Sequence, residues 1–110
     1  MKIVRVADIQ ESRQAAIFIG RDHGAHVSFF IITHHRGDGP GPHRHPYEET
    51  FVMLTGAAEF TVDDKTVEVG SGHIVVVPAG AVHSFKAVSD GLTQQVNIHP
   101  VAEMVTEWLE

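Results

Sequence analysis

The segment GDGPGPHRHPYEETFVMLTG, residues 37–56, carries the most specific pattern in this chain. Its first glycine is followed after five residues by His43, then by His45, and after three more residues by Glu49. Side chains two apart on a strand leave the same face, so the two imidazoles share one side of the chain. Metal donors lie ~2.0–2.2 Å from their ion, so a common site requires a turn between His45 and Glu49, where Pro46 stands.

A second cluster, GHIVVVPAGAVH, spans residues 72–83 and ends on His83. Its Pro-Ala-Gly-Ala stretch predicts a tight turn that delivers this histidine to the start of a strand. Alternation along the two strands then predicts which side chains share a face with Glu49 and with His83. We expect one carboxylate and three imidazoles in a common cavity, and we expect its wall to contain Phe51, Met53, Phe85 and Ala87.

Together the two clusters resemble the two motifs of the cupin superfamily. The first motif of that family is glycine, five residues, His-x-His, three or four residues, glutamate, six residues and glycine, and residues 37–56 match every position. The second is glycine, five residues, Pro-x-Gly, two residues, histidine, three residues and asparagine, and here Ala87 stands in place of the asparagine. The resemblance covers residues 37–87, and it implies a metal site with four ligands, namely His43, His45, Glu49 and His83.

Short β-branched or aromatic runs recur along the chain and predict strands, because Gly, Pro, Asp or Ser punctuates them. Their spacing leaves no room for crossover helices, so the strands should pair mainly antiparallel. Several runs are apolar on both alternating faces, which favours burial on both sides. The predicted fold is all-β, an antiparallel double-stranded β-helix (a jelly-roll or cupin barrel), with strands over residues 15–19, 26–33, 50–54, 57–62, 66–69, 73–77, 82–88 and 92–98.

The C-terminus alone has a helical pattern. Apolar side chains recur there at i, i+3, i+4, i+7 and i+8, which makes one stripe of a helix. The stripe consists of Val101, Met104, Val105, Trp108 and Leu109, and Pro100 before it suits a first helical turn. We therefore expect a short C-terminal α-helix, packed on the barrel or in a dimer contact.

Length and composition limit the class of protein. The chain has 110 residues and a mass of 12.0 kDa, so we expect residues 1–110 to form a single cupin domain. Fourteen acidic against eight basic side chains give a net charge of −6, which disfavours nucleic acid and anionic membranes as partners. The lack of cysteine excludes disulfide scaffolds, thiolate zinc sites, iron–sulfur clusters and cysteine nucleophiles. The sequence has neither an apolar run of ~18 residues nor a secretory pattern, so we expect a soluble, cytoplasmic protein.

Six of the nine histidines lie outside the ligand set, and we expect them in surface or core positions rather than in catalysis. They are His23, His26, His34, His35, His73 and His99. His34 and His35 end a strand on opposite faces, so at most one of them faces inward. His99 follows the last strand and could reach the mouth of the barrel. The role of catalytic acid or base stays open among four candidates, which are His99, His35, Tyr47 and Glu48.

Three imidazoles and one carboxylate suit one divalent transition metal ion, whether Mn, Fe, Co, Ni, Cu or Zn. An octahedral ion would keep two positions for water, O₂ or a bidentate substrate, whereas four-coordinate zinc would already be saturated. The first hypothesis is a metal-dependent enzyme, of the dioxygenase or isomerase type that the resemblance implies, acting on a small oxygen-chelating organic substrate. The second is a non-enzymatic module of the same fold that binds a small ligand or senses metal. A barrel that has lost its metal is a third alternative.

Self-association is also expected. Small cupins, which this chain resembles, form dimers, and open strand edges need to be covered. We expect a homodimer, with the N-terminal segment to Ile19 and the C-terminal helix as candidate contacts.

Overall fold

The computed structural model describes residues 1–109 of the chain, and these residues form ten strands and two short 3₁₀ turns. The turns lie at Val6–Ile9 and Gly20–His23. The strands are β1 Ala15–Phe18, β2 Ser28–His34, β3 His43–Arg44, β4 Glu49–Thr55, β5 Ala57–Val62, β6 Lys65–Gly70, β7 Ile74–Val77, β8 His83–Ala87, β9 Thr93–His99 and β10 Glu107–Trp108. Within residues 1–109, no helix has the length and apolar character needed to cross a bilayer.

The strands form two five-stranded sheets in which all neighbours run antiparallel. The first sheet has the order β1-β2-β9-β4-β7, and the second has the order β10-β3-β8-β5-β6. Strands distant in sequence therefore lie side by side, as in a double-stranded β-helix. The predicted all-β, antiparallel fold is confirmed.

The two sheets enclose a hydrophobic core that begins next to Glu49, in the first of the two sequence motifs. Phe51 and Met53 follow Glu49 on the inner side of β4, and Phe85 follows His83 on the inner side of β8. The rings of Phe51 and Phe85 pack edge to face with their centroids 5.4 Å apart. The complete buried cluster is Phe51, Met53, Ala58, Phe60, Val77, Ala81 and Phe85.

A tight turn between β5 and β6 positions the strand that carries His83. Asp63 and Asp64 adopt φ values of 46° and 69°, which two-residue hairpins of this hand require. The Asp63 side chain then accepts a hydrogen bond of 3.2 Å from the Val82 backbone N–H. This bond anchors the entry to β8, and so fixes the backbone just before the histidine.

The predicted C-terminal α-helix is wrong for the part of the chain that the structure describes. Residues 100–106 are irregular, and β10 then pairs with β3, the strand that carries His43. In a helix the Val105 carbonyl would accept from the Leu109 N–H. Here Leu109 N–H instead donates to Pro42 O at 3.0 Å, and Val105 O accepts from His45 Nδ1 at 2.8 Å. Tertiary hydrogen bonds thus override the helical periodicity of the stripe.

Candidate metal centre

The two sequence motifs meet inside the barrel. His43 on β3 lies opposite His83 on β8 in the strand register, and Glu49 is the first residue of β4. The chain turns between His45 and Glu49, as the sequence predicted. All four side chains are buried, and one ligand atom from each lies within 4.8 Å of every other.

Backbone carbonyls hold the three imidazoles in one tautomer. Nδ1 of His43 lies 2.9 Å from Gly41 O, Nδ1 of His45 lies 2.8 Å from Val105 O, and Nδ1 of His83 lies 2.9 Å from Ala81 O. A carbonyl oxygen can only accept, so each Nδ1 carries the proton. Each Nε2 is therefore left with a free lone pair, which is how metal-binding histidines are oriented.

These lone pairs face a carboxylate oxygen. Glu49 Oε1 lies 3.0 Å from His45 Nε2 and 3.1 Å from His83 Nε2. An oxygen and a nitrogen that both present lone pairs repel at this distance unless a proton or a cation lies between them. Within residues 1–109, the buried His45 Nε2 lacks a hydrogen bond of acceptable geometry.

The spacing of the donor atoms fits a single transition-metal ion. Two adjacent ligands of an octahedral ion, each ~2.1 Å from it, are separated by ~3.0 Å. That is the separation between Glu49 Oε1 and its two imidazole neighbours. The donor set also lacks sulfur, which suits borderline divalent ions rather than Cu(I). The four side chains thus form a buried site that could bind a metal ion.

The pKa values follow from burial and from the proximity of these groups. Burial would raise the pKa of Glu49, but hydrogen bonds from His45 and His83 when these imidazoles are protonated, and from His99, outweigh it and hold that pKa far below its usual range. Burial chiefly lowers the pKa of His43. Burial also acts to lower the pKa of His45, but the Glu49 carboxylate and the Val105 carbonyl reverse its effect and raise that pKa. Glu49 is therefore an anion at neutral pH, ready to act as a ligand.

A second hydrogen-bonded chain fixes the other oxygen of Glu49. Its Oε2 lies 3.1 Å from His99 Nε2, and His99 Nδ1 lies 2.7 Å from the Tyr47 hydroxyl. The Tyr47 oxygen accepts from the Val105 N–H at 3.0 Å, so its own proton can be donated to His99 Nδ1. In that arrangement His99 Nε2–H donates to Glu49, and Tyr47 and His99 orient the carboxylate.

A cavity of about 280 Å³ adjoins the cluster and is lined by His43, His45 and Glu49 among others. Its apolar wall includes Phe30, Ile32 and Phe85 from the two sheets. Polar groups on the wall include Asn97 and His34. The buried Nδ1 of His34 has no hydrogen-bond partner within residues 1–109.

The predicted pocket wall needs correction. Phe85 does line the cavity, whereas Phe51 and Met53 belong to the hydrophobic core beneath the site. Ala87 is buried farther along β8 and does not reach the cavity either. The parity argument placed all four side chains correctly on the inner face. It could not determine the depth at which cavity gives way to core, because that depends on which strands pack across the barrel.

The remaining histidines and acid–base candidates fall into a buried group near the site and an exposed group. His34 faces inward and His35 outward, as the alternation predicts. His26, His73 and Glu48 are exposed, and His23 stacks on Phe18 at 4.7 Å. His99, which was expected to serve surface or core packing, is buried against the ligand cluster. The sequence feature that could have identified His99 as part of the site is the alternation of β9, in which polar residues face inward. These inward-facing residues are Thr93, Gln95, Asn97 and His99.

Comparison with known proteins gives consistent matches. Residues 30–104 match the family model described as Cupin domain. An uncharacterized protein of Streptomyces coelicolor is 28% identical over 104 residues, which make up 91% of this chain and 97% of that protein. A solved double-stranded β-helix protein of Klebsiella pneumoniae aligns at 16% identity with a TM-score of 0.78, over 100% of this chain and 98% of that chain.

The fold also matches part of a larger enzyme. Oxalate decarboxylase of Bacillus subtilis, from a study of its Mn(II) centres, aligns at 20% identity with a TM-score of 0.82 over 96% of this chain. The alignment spans 31% of the oxalate decarboxylase chain, or about a third of its length. At this level of identity the likeness demonstrates a shared fold.

Proposed function

This chain belongs to the cupin domain family, and we propose that it is a metal-dependent enzyme acting on a small organic substrate that chelates through adjacent oxygen atoms. The reaction would be of the dioxygenase or the isomerase type. His43, His45, Glu49 and His83 would bind one divalent transition metal ion, drawn from Mn, Fe, Co, Ni, Cu or Zn. The observation that carries this proposal is the convergence of three Nε2 lone pairs and one carboxylate oxygen at the edge of a cavity.

The protein's own residues define what the cavity would accept. A bound ion would supply Lewis-acid polarisation and a template for the chelating oxygens. The side chains of Phe30, Ile32 and Phe85 would exclude water from the rest of the substrate. The volume of about 280 Å³ lies near the lower limit of small-molecule sites, so the substrate would be small.

Two polar groups would fix the orientation of the substrate. Asn97 accepts a hydrogen bond of 2.8 Å from Gln95 Nε2, which leaves its amide group free to donate. Burial lowers the pKa of His34, so its ring is neutral at pH 7 and can either donate or accept through the buried Nδ1. Both groups suit a substrate with oxygen atoms beyond the chelating pair.

A non-enzymatic ligand-binding or metal-sensing module is the alternative function. A closed metal shell with bulky side chains against it would favour this alternative, whereas an adjoining cavity favours the enzyme. The cavity that reaches His43, His45 and Glu49 therefore supports the enzyme. The Mn(II) centres of the similarly folded oxalate decarboxylase give further support to metal-dependent chemistry on this fold.

The test begins with elemental analysis of protein purified from its native source, since metal availability governs which ion a site holds. Protein loaded with that ion would be screened for oxygen consumption and for isomerisation with catechols, diketones and sugar acids. We expect turnover by the natural protein and by His73→Ala, an exposed-histidine control, and its loss in His83→Ala. Stoichiometric metal without turnover, together with tight binding of one of these compounds, would favour the module instead.

A further inference from the structure

The chain's single tryptophan lies where the cavity opens to solvent. Strand register places Trp108 on β10 opposite His43 on β3, so both side chains leave the same face of the second sheet. The indole packs against the His43 ring with the two centroids 4.8 Å apart. Trp108 lines the cavity and is nevertheless 62% exposed. A molecule that enters beside His43 therefore meets a large apolar ring.

Both neighbours of Trp108 are held in place. Arg44 donates two hydrogen bonds to the Glu107 carboxylate, at 2.9 and 3.0 Å. On the other side, Leu109 N–H donates to Pro42 O at 3.0 Å. An exposed ion pair adds little stability by itself, but together with the backbone bond it restricts the position of the residue between them. A ring that is already positioned loses little freedom when a ligand covers it, which favours binding.

Two further aromatic rings line the same cavity. Phe30 comes from the first sheet and Phe85 from the second. Each packs beside a histidine of the site, Phe30 with its centroid 5.7 Å from that of His99 and Phe85 with its centroid 6.1 Å from that of His34. Aromatic rings gain from stacked or edge-to-face contacts with another π system, beyond the apolar area that they cover. A flat conjugated ligand can make such contacts, whereas a saturated one cannot.

The cavity lacks a basic side chain. Within residues 1–109, neither lysine nor arginine lines it. Arg13 lies between two lining residues, Ser12 and Gln14, but its guanidinium contacts Asp38 Oδ2 at 3.5 Å and His35 Nδ1 at 3.0 Å. The cation at the entrance is therefore directed to the outer surface and is not available to a ligand in the cavity.

The charge of the lining limits the charge of the ligand. Among the lining side chains of residues 1–109, Glu49 alone is charged when a metal ion keeps the imidazoles neutral. A divalent ion with this carboxylate leaves a single net positive charge, which a chelating group with one negative charge would neutralise. A second carboxylate on the ligand would be buried without a counter-charge, and this is unfavourable. Away from the metal cluster, the polar lining consists of the uncharged side chains Ser12, Gln14, His34, Asn97 and Thr106.

We propose that Trp108 and the uncharged lining select a flat, conjugated chelator with one negative charge. Saturated chelators and chelators with a second charged group would bind more weakly. Trp108 is then a specificity-determining residue, which contacts the ligand without touching the metal. This inference rests on the proposed enzymatic function, because it takes the metal site and a chelating substrate as given. Among the compounds of the activity screen it favours catechols and diketones over sugar acids.

The test compares three chelating probes on the whole protein loaded with Co(II), under anaerobic conditions and at neutral pH. 3,4-Dihydroxybenzamide and 3,4-dihydroxybenzoate have nearly the same flat shape, but only the benzoate carries a carboxylate. 2-Hydroxyisobutyrate is a saturated chelator with one negative charge. Calorimetric titration gives each Kd, which is divided by the Kd of the same probe for free Co(II). On that scale the benzamide should bind at least ~10-fold more tightly than either of the other probes.

Variants separate the role of the indole from that of charge. Trp108→Ala should weaken 3,4-dihydroxybenzamide ~10-fold and leave both 2-hydroxyisobutyrate binding and the cobalt content unchanged, whereas Trp108→Phe should retain most of the affinity. The matched control is Val105→Ala, an apolar residue of the same segment that is 53% exposed and does not line the cavity, and all three Kd values should stay unchanged. Gln14→Lys adds a cation to the lining and should tighten the benzoate ~3-fold.

The outcomes distinguish this inference from the function on which it rests. Binding of the benzoate or of 2-hydroxyisobutyrate as tightly as the benzamide would overturn the selectivity and leave the proposed function in place. Unchanged benzamide affinity in Trp108→Ala, or an equal loss for 2-hydroxyisobutyrate, would overturn the role of the indole. Failure of all three probes to bind the Co(II) protein would overturn both the inference and the proposed function.

Discussion

Replacement of Glu49 by glutamine should shift two measured quantities in opposite directions. At alkaline pH without metal, Glu49 Oε1 faces the Nε2 lone pairs of His45 and His83 at 3.0 and 3.1 Å. A glutamine amide nitrogen at that position would direct one N–H toward each nitrogen. Its remaining oxygen would still accept from His99 Nε2, as Oε2 does now. Two repulsive contacts would thus become two hydrogen bonds.

The gain in metal-free stability follows from those two bonds. At about 0.5–1.5 kcal/mol each, they should raise the free energy of unfolding of Glu49→Gln by ~1–3 kcal/mol. For a domain of this size that corresponds to an increase in Tm of roughly 4 °C for each kcal/mol. Thermal unfolding with a chelator present, followed by circular dichroism at pH 8.5, measures this gain.

Added metal should stabilise the natural protein more than it stabilises Glu49→Gln. An ion at 1,000 times its Kd stabilises the natural protein by ~4.1 kcal/mol. Loss of the anionic ligand should weaken binding by at least ~100-fold, so the same ion concentration would stabilise Glu49→Gln by only ~1.4 kcal/mol. The neighbouring Glu48→Gln is the matched control, because Glu48 is exposed and both its baseline and its metal response should be unchanged.

The pH of the measurement sets the size of the stability difference between the metal-free proteins. The pKa of His45 is raised in the folded protein, so a protonated His45–Glu49 pair stabilises the natural protein fully below the unfolded pKa of ~6.5. That contribution is lost as pH rises through the raised folded pKa. The advantage of Glu49→Gln should therefore be largest at pH 8.5 and should shrink at pH 6. A metal-free variant less stable than the natural protein at pH 8.5 would refute the assigned tautomers.

Three other outcomes are expected. Metal affinity should decrease as the pH drops through the raised pKa of His45, because imidazoles must be neutral to bind a metal, and calorimetric titration showing constant affinity from pH 8 to 5 would argue against imidazole ligands. His83→Ala should lower metal affinity at least ~10-fold while the exposed His73→Ala leaves it unchanged, and equal losses would mean that the wrong histidine was assigned. Tyr47→Phe removes the hydroxyl that contacts His99 and Val105, so metal affinity should decrease ~10–100-fold with little change in far-ultraviolet circular dichroism; unchanged affinity would exclude a positioning role for Tyr47.

The candidate ligands could be predicted because the residue spacing that identifies them lies within two short segments of the chain. The His-x-His spacing places two imidazoles on one face of a strand, and the Pro-x-Gly turn starts the strand that carries His83. Antiparallel pairing followed from runs too closely spaced for crossover helices. Neither inference requires knowledge of what lies across the barrel.

Strand β9 shows where local information fails. Its sequence alternates polar and apolar residues, and on hydrophobicity alone Val96 and Ile98 would face the core. The structure instead buries Gln95, Asn97 and His99 and turns the two apolar side chains outward. Asn97 and His99 line the cavity, His99 also contacts Glu49 on β4, and Gln95 donates a hydrogen bond to Asn97, so the inward direction of these residues depends on other strands.

The sequence by itself determined the class of fold and the four side chains that can share an ion, because residue spacing and strand alternation are properties of short segments. Only the tertiary structure decided that the C-terminal segment forms a strand, that Tyr47 and His99 hold Glu49, and that Phe51 lies in the core instead of the cavity. Each of these depends on hydrogen bonds or packing between residues more than 30 positions apart, such as His45 with Val105. Contacts at that separation form only when the two sheets close on one another.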